Sequence, residues 1–291
     1  MTPVPHTQPV TLPVLPEWVD HAIQGKATVP VALLLDLMVR VASEQNVVSE
    51  ANAPLIIRDA FFPRFLPAHE VPHCTFEIAF EISFDDAAGE SAKVDTRATL
   101  TSRIALAGGI NRTRTHIALT LGGSTSPLPA PSPTTNDDIV LPADRIYAEL
   151  IPFGPRYRNL RDSVRLSRAG GVGCVRSPLP VGSEPSRAGC PYLFDAAMHL
   201  ACLWGQRYAG VVTYPTGFST RAIALPLAHG ERRCVVAPRS VEPRNLVFDL
   251  WLTDENDRVC DTIAGLTMVP LAGGARPPDW IVHPQALRDT P

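Results

Sequence analysis

The sequence predicts an α+β architecture in which a curved antiparallel sheet wraps one buried helix, and it predicts this unit twice. Three observations carry the reading. Residues 31–42 (VALLLDLMVRVA) and 193–205 (LFDAAMHLACLWG) are apolar on most sides, and a helix of that kind must be enclosed rather than laid on a surface. Each is followed by a strand-rich region. In the first of these, Phe76, Ile78, Phe80, Ile82 and Phe84 alternate with Glu77, Ala79, Glu81 and Ser83, the period of a strand with one buried face. Finally, residues 121–138 (LGGSTSPLPAPSPTTNDD) split the chain near its middle, and a segment so rich in proline and small polar residues reads as an extended linker.

Taken in order, the first unit occupies residues 1–120. Five prolines in the first 16 residues lead into it, and the apolar helix over 31–42 comes next. The alternating strand then runs to an acidic turn, Asp85-Asp86-Ala87-Ala88-Gly89, with further strands over 93–105 and 113–121. The linker spans 121–138, and the second unit occupies 139–291. There the apolar helix over 193–205 precedes strands near 219–227, 233–238 and 246–253. A second acidic turn, Asp254-Glu255-Asn256-Asp257, leads into a last strand over 258–268.

Composition narrows the function. With 45% hydrophobic residues in 291 there is material for a substantial core, which excludes a chain disordered throughout. Proline accounts for 30 residues, about twice the usual share, and points to short elements with punctuated connections. A net charge of -3 with only 19% charged residues is no polycation, so nucleic acid is not the expected partner. The longest apolar run of note, 29–35, stops at Asp36, far short of the roughly 20 residues of a membrane span. The start of the chain lacks a basic region followed by an apolar one. Six cysteines without a CxxC pair give no zinc-ribbon or thioredoxin-type spacing, and the expectation is reduced thiols in the cytoplasm. GxSxG, GxxxxGK[ST] and GxGxxG are absent, and the histidines form no metal-hydrolase cluster in sequence.

Two groups of residues could carry chemistry. His21, Gly25 and Pro30 form HxxxGxxxxP. Gly25 permits a tight approach or positive φ, and Pro30 presets φ where the helix begins. On these residues alone His21 is either a base or a turn histidine bonded to backbone. In the second unit, Asp195 sits among Leu193, Phe194, Ala196, Ala197 and Met198. An ionised carboxylate there is costly unless paired, so desolvation is expected to raise its pKa and make it a proton donor. The alternative is an aspartate in the first helical turn, favoured by the dipole. His199, four residues on, is placed to orient Asp195 rather than to bind metal.

HxxxGxxxxP at 21–30, GPxY at 154–157 as a version of YGPxF, DxxxH at 195–199 in the place of DxxxQ/H, and Leu225-Pro226 in the place of a late LP stand in one order. In that order they resemble the dehydratase domain of polyketide synthases, over about residues 12–270. Residues 248–266 also resemble that family's final hairpin. The resemblance implies a double hotdog with one active site between its halves. His21 would take the α-proton of a β-hydroxyacyl thioester, and Asp195 would protonate the departing hydroxyl. Gly25, Pro30, Phe153, Gly154, Pro155, Tyr157 and His199 would orient substrate or the dyad. No metal or organic cofactor is implied, because the substrate arrives on the phosphopantetheine of an acyl carrier protein. The partners would be that carrier protein and other synthase domains, with a homodimer compatible with the fold.

A narrow apolar tunnel is then expected, with Val29, Phe153, Pro155 and Met198 as walls, its length setting chain preference by about 0.8 kcal/mol per methylene. The chain departs from the family pattern at Phe153, where tyrosine is common, at Val31, where glycine is common, and at His199, where glutamine also occurs. Arg156, Arg158 and Arg161 form a basic group that could meet an acidic carrier or could be a solvated face. Two other readings stay open: a product-template-like or dehydrating cyclase on the same scaffold, and a non-catalytic module for carrier docking or dimerisation.

Overall fold

The computed structural model describes residues 6–47, 54–84, 94–105, 110–126, 128–129, 131, 139–179, 186–224 and 230–283. In the first half, strands β1 (His6–Val10), β2 (Ala22–Ile23), β3 (Lys26–Val29), β4 (Leu55–Phe61), β5 (Leu66–Pro67), β6 (Cys74–Phe84), β7 (Val94–Ala105) and β8 (Asn111–Gly122) accompany helix α1 (Val31–Glu44). In the second, β9 (Ile139–Pro142), β10 (Leu160–Ser167), β11 (Gly170–Arg176), β12 (Thr213–Ile223), β13 (Glu231–Glu242), β14 (Asn245–Thr253) and β15 (Val259–Pro270) surround helix α2 (Pro191–Trp204). This is a double hotdog of the α+β class.

The two sheets join. The strand order β1-β6-β7-β8-β4-β12-β15-β14-β13-β11-β10-β9 is one antiparallel sheet of twelve strands, with β4 and β12 forming the seam. Pairing these two strands removes two sheet edges that would otherwise present bare N–H and C=O groups. The small strands β2, β3 and β5 form a separate patch beside α1.

Local sequence explains the elements. Phe76, Ile78 and Phe80 of β6 are buried while Thr75 and Glu81 are exposed, as the alternation requires. Pro30 occupies the N-cap of α1 with extended dihedrals, and the helix starts at Val31. Arg40 lies on an exposed face of α1, so this helix is enclosed on one side only. The second helix starts with Pro191 at its first position, and every residue from Tyr192 to Trp204 is buried. It lies against β11, β13 and α1, so its predominantly apolar sequence, interrupted by Asp195 and His199, matches its surroundings. The acidic turn at 254–257 is built by Asp254, whose Oδ1 accepts the N–H groups of Asn256 and Arg258 (2.9 Å each).

The acidic turn at 85–89 and the Leu225-Pro226 pair lie outside the described residues, as does half of the proline-rich linker. Its described part is not free of the fold: Leu128 packs against the cluster of Val172, Val235 and Trp251, and the Trp251 indole N–H donates to Pro129 O (3.1 Å). All six cysteines are unpaired. Among the described residues no helix is long and apolar enough to cross a membrane.

Candidate active site

His21 is held by short-range geometry. It follows a 3-10 turn at Pro16–Asp20 anchored by buried Trp18, and it opens the β2–β3 hairpin. The two-residue connection is Gln24-Gly25, with φ of +51° and +74°, the type I′ pattern that favours glycine at its second position. This is the physical content of the glycine in HxxxGxxxxP. The hairpin brings Thr28 back to His21: the Thr28 N–H donates to His21 O, and the His21 Nδ1–H donates to Thr28 O, both at 3.0 Å. A carbonyl only accepts, so Nδ1 carries the proton and neutral His21 presents a bare Nε2. The backbone bond of the turn-histidine reading thus leaves Nε2 free, and the two readings of His21 do not exclude one another.

Asp195 lies on the fifth residue of α2, past the first turn, so it is not a capping residue. Its Oδ1 is 3.7 Å from His21 Nε2, and its Oδ2 is 3.1 Å from His199 Nε2. The latter is the closer of the two and favours the ionised carboxyl, first through charge. All three side chains are at least nine-tenths buried. Burial lowers the pKa of His21, outweighing the pull of Asp195, so the imidazole is neutral at pH 7.

For Asp195 the outcome differs from the sequence expectation. Burial pushes the carboxyl up, but His199, and then His21, outweigh it and hold the carboxyl below its ordinary range. The aspartate is desolvated yet flanked by two imidazoles, a neighbourhood that only the tertiary fold creates. With its carboxyl held low, Asp195 is ionised at neutral pH in this arrangement.

The aromatic residues complete the frame. Phe153 packs between the two histidines, 4.5 Å from the His21 ring and 5.1 Å from that of His199. Tyr157 meets the His21 ring edge-on at 5.1 Å. Gly154 abuts Asp20 so closely that an added Cβ would fall 2.1 Å from Asp20 Oδ1. Pro155 starts the short 3-10 turn that carries Tyr157.

The site opens onto a cavity of about 370 Å³, within the usual range for small-molecule sites. Its walls are mostly apolar and include Val29, Leu34, Phe62, Phe153, Met198 and Met268. Pro155, expected as a wall, is not one of the lining residues, because its turn faces Asp20 rather than the cavity. The basic group is not a single solvated face: the Arg158 Nε–H donates to Phe153 O (2.7 Å) and the Arg156 guanidinium lies over the Tyr192 ring. Among the described residues no cluster of His, Cys, Asp and Glu is arranged to hold a metal ion.

Sequence reasoning missed two residues. Tyr147 lies 52 positions before His199, and its hydroxyl stands 3.2 Å from His199 Nδ1 while accepting the Leu160 N–H at 2.8 Å. Tyr147 thus gives His199 the polar neighbour that Phe153 cannot supply. Asp20 contacts the 153–157 loop of the other half. Neither has a local signal, because each acts across a distance set by folding.

The family model described as polyketide synthase dehydratase N-terminal domain matches residues 126–278, more than half of the chain. No curated protein matches by sequence. Among solved structures, the dehydratase domain from the CurK module of curacin polyketide synthase superposes with a TM-score of 0.69 at 12% identity, over 92% of each chain. The dehydratase domain from the CurJ module gives 0.68 at 15%, over 88% of this chain and 87% of that one. The dehydratase domain of RzxB from Pseudomonas fluorescens gives 0.63 at 15%, over 85% and 88%.

Proposed function

The chain belongs to the polyketide synthase dehydratase family, and on that premise we propose that His21 and the Asp195–His199 pair carry out its dehydration on a β-hydroxyacyl thioester. The observation that carries this assignment is that the two halves bring His21 Nε2 and Asp195 Oδ1 to 3.7 Å at the wall of one apolar cavity. In the active form His21 is neutral and the pair holds one proton in excess. The His21 Nε2 lone pair takes the α-proton, and the electrons left on the α-carbon form the double bond as the β C–O bond breaks. The pair's proton goes to the departing hydroxide, which leaves as water. The imidazolium then returns its proton to Asp195, which restores the starting state.

The remaining parts of the proposal follow from family membership. The thioester is carried on the phosphopantetheine of an acyl carrier protein, the other synthase domains supply and consume the chain, and no cofactor takes part. The segments 1–120 and 139–291, joined by 121–138, act as one catalytic unit, since each contributes one half of the dyad.

The test is to incubate the protein with a pantetheine- or carrier-bound (3R)-hydroxyacyl thioester and follow mass. The expected product is lighter by one water, and His21→Ala and Asp195→Asn each slow its formation by about 10² to 10⁴. A folded protein that turns over no chain length overturns the proposal. A product of unchanged mass that resists reduction would indicate cyclisation instead.

A further inference from the structure

We propose that Asp20 is a positioning residue: it latches the 153–157 loop of the second half onto the His21 turn of the first and so holds His21 against Asp195. The inference rests on the dehydratase reading only for its effect on turnover.

Two hydrogen bonds make the latch, both crossing between the halves. The Gly154 N–H donates to Asp20 O at 2.7 Å, and the Arg156 N–H donates to Asp20 Oδ2 at 3.0 Å. The second satisfies an amide at the start of the 155–157 turn. The loop comes this close because residue 154 lacks a side chain; its φ is -75°, so space and not backbone conformation demands glycine there.

The consequence reaches the reacting atoms through one covalent step and two ring contacts. Asp20 immediately precedes His21, while Phe153 and Tyr157 pack on the His21 ring from either end of the latched loop. Released from the latch, the His21 ring would keep its hydrogen bond to Thr28 but lose the aromatic frame that sets its tilt toward Asp195. Misplacement of a catalytic group by about 1 Å can cost 10²-fold in rate.

The test compares Asp20→Ala, Asp20→Asn and Gly154→Ala in the full chain. Asp20→Ala is expected to lower kcat about 10- to 100-fold with KM changed less than about threefold, because Asp20 itself does not line the cavity. Asp20→Asn keeps an oxygen acceptor and is expected to retain kcat within about threefold. Gly154→Ala should resemble Asp20→Ala, and the double variant should be no worse than the worse single one, since both break one link. Hydrogen exchange at the Arg156 amide should quicken in Asp20→Ala and Gly154→Ala but not in Asp20→Asn, whether or not the protein turns over a thioester. Unchanged kcat and exchange in Asp20→Ala, an Asp20→Asn as impaired as the alanine, or additive losses in the double variant would overturn the latch. A wild-type chain that dehydrates nothing while exchange follows the expected pattern would overturn the dehydratase reading and leave the latch standing.

Discussion

At the residue scale, the arrangement around Asp195 decides how the site responds to pH. As the proposed base His21 acts in its neutral form, and burial has moved its pKa below 6.5; activity should therefore persist to a pH below 6.5 before the acid limb sets in. On the proposed mechanism the alkaline limb reports loss of the proton that the Asp195–His199 pair donates. His199→Gln removes one of the two bases that share this proton and should displace the alkaline limb of kcat/KM while leaving the acid limb in place. Tyr147→Phe, which keeps the ring but withdraws the hydroxyl from His199 Nδ1, should displace the same limb in a smaller degree. Equal displacement of both limbs, or of neither, in a kcat/KM profile would contradict this division of roles. The residue types were legible in sequence because HxxxG and DxxxH are local patterns. The direction of the Asp195 shift was not: His199 stands one turn along the same helix, but whether its pull, with that of His21, outweighs burial depends on the folded surroundings.

At the element scale, two glycines in recognisable motifs do different work. Gly25 sits in a two-residue turn at φ +74°, with nothing within 4 Å of an added Cβ. Gly25→Ala should cost about 1 to 2 kcal/mol from backbone strain alone, seen as a melting temperature lower by a few degrees, with kcat within about threefold of wild type. A larger loss of activity would mean that the hairpin itself moves. Gly154 is needed for the opposite reason, lack of room. The sequence could show that both positions were glycine, but the difference between a torsional and a steric requirement appears only when Asp20 is seen against the second. The helices follow similar logic: both apolar stretches are helical, yet α1 leaves Arg40 on an exposed face while α2 is buried from Tyr192 to Trp204.

At the scale of the whole molecule, the twelve-stranded sheet makes one body of two units, and its interior carries ionisable groups that tie stability to pH. His116 on β8 is buried, with Nε2 2.7 Å from Ser102 Oγ, and burial, helped by Arg64 and Arg114, lowers its pKa to about 4. The unfolded chain takes up this proton near pH 6.5 and the folded chain resists doing so. The contribution, about 3 kcal/mol from this shift, is whole above pH 6.5 and is lost as pH falls toward 4. His21 shifts in the same direction and adds to the effect. Urea unfolding between pH 7 and pH 4 should show stability falling across this window, and His116→Gln should flatten the fall. A pH-independent midpoint would refute the linkage.

By itself the sequence determined the class of the fold, the two buried helices, the strand face of Phe76, Ile78 and Phe80, and the residue types of the site. Each of these rests on periodicity or on a motif within about ten residues, where backbone geometry alone fixes which side chains share a face. Only the tertiary structure decided that the two sheets fuse at β4 and β12, that Tyr147 reaches His199, that Asp20 meets Gly154, and that Asp195 meets His21. These are encounters between residues from 52 to 174 positions apart. Their distances and electrostatics arise when one half packs on the other, and no local pattern in the chain encodes them.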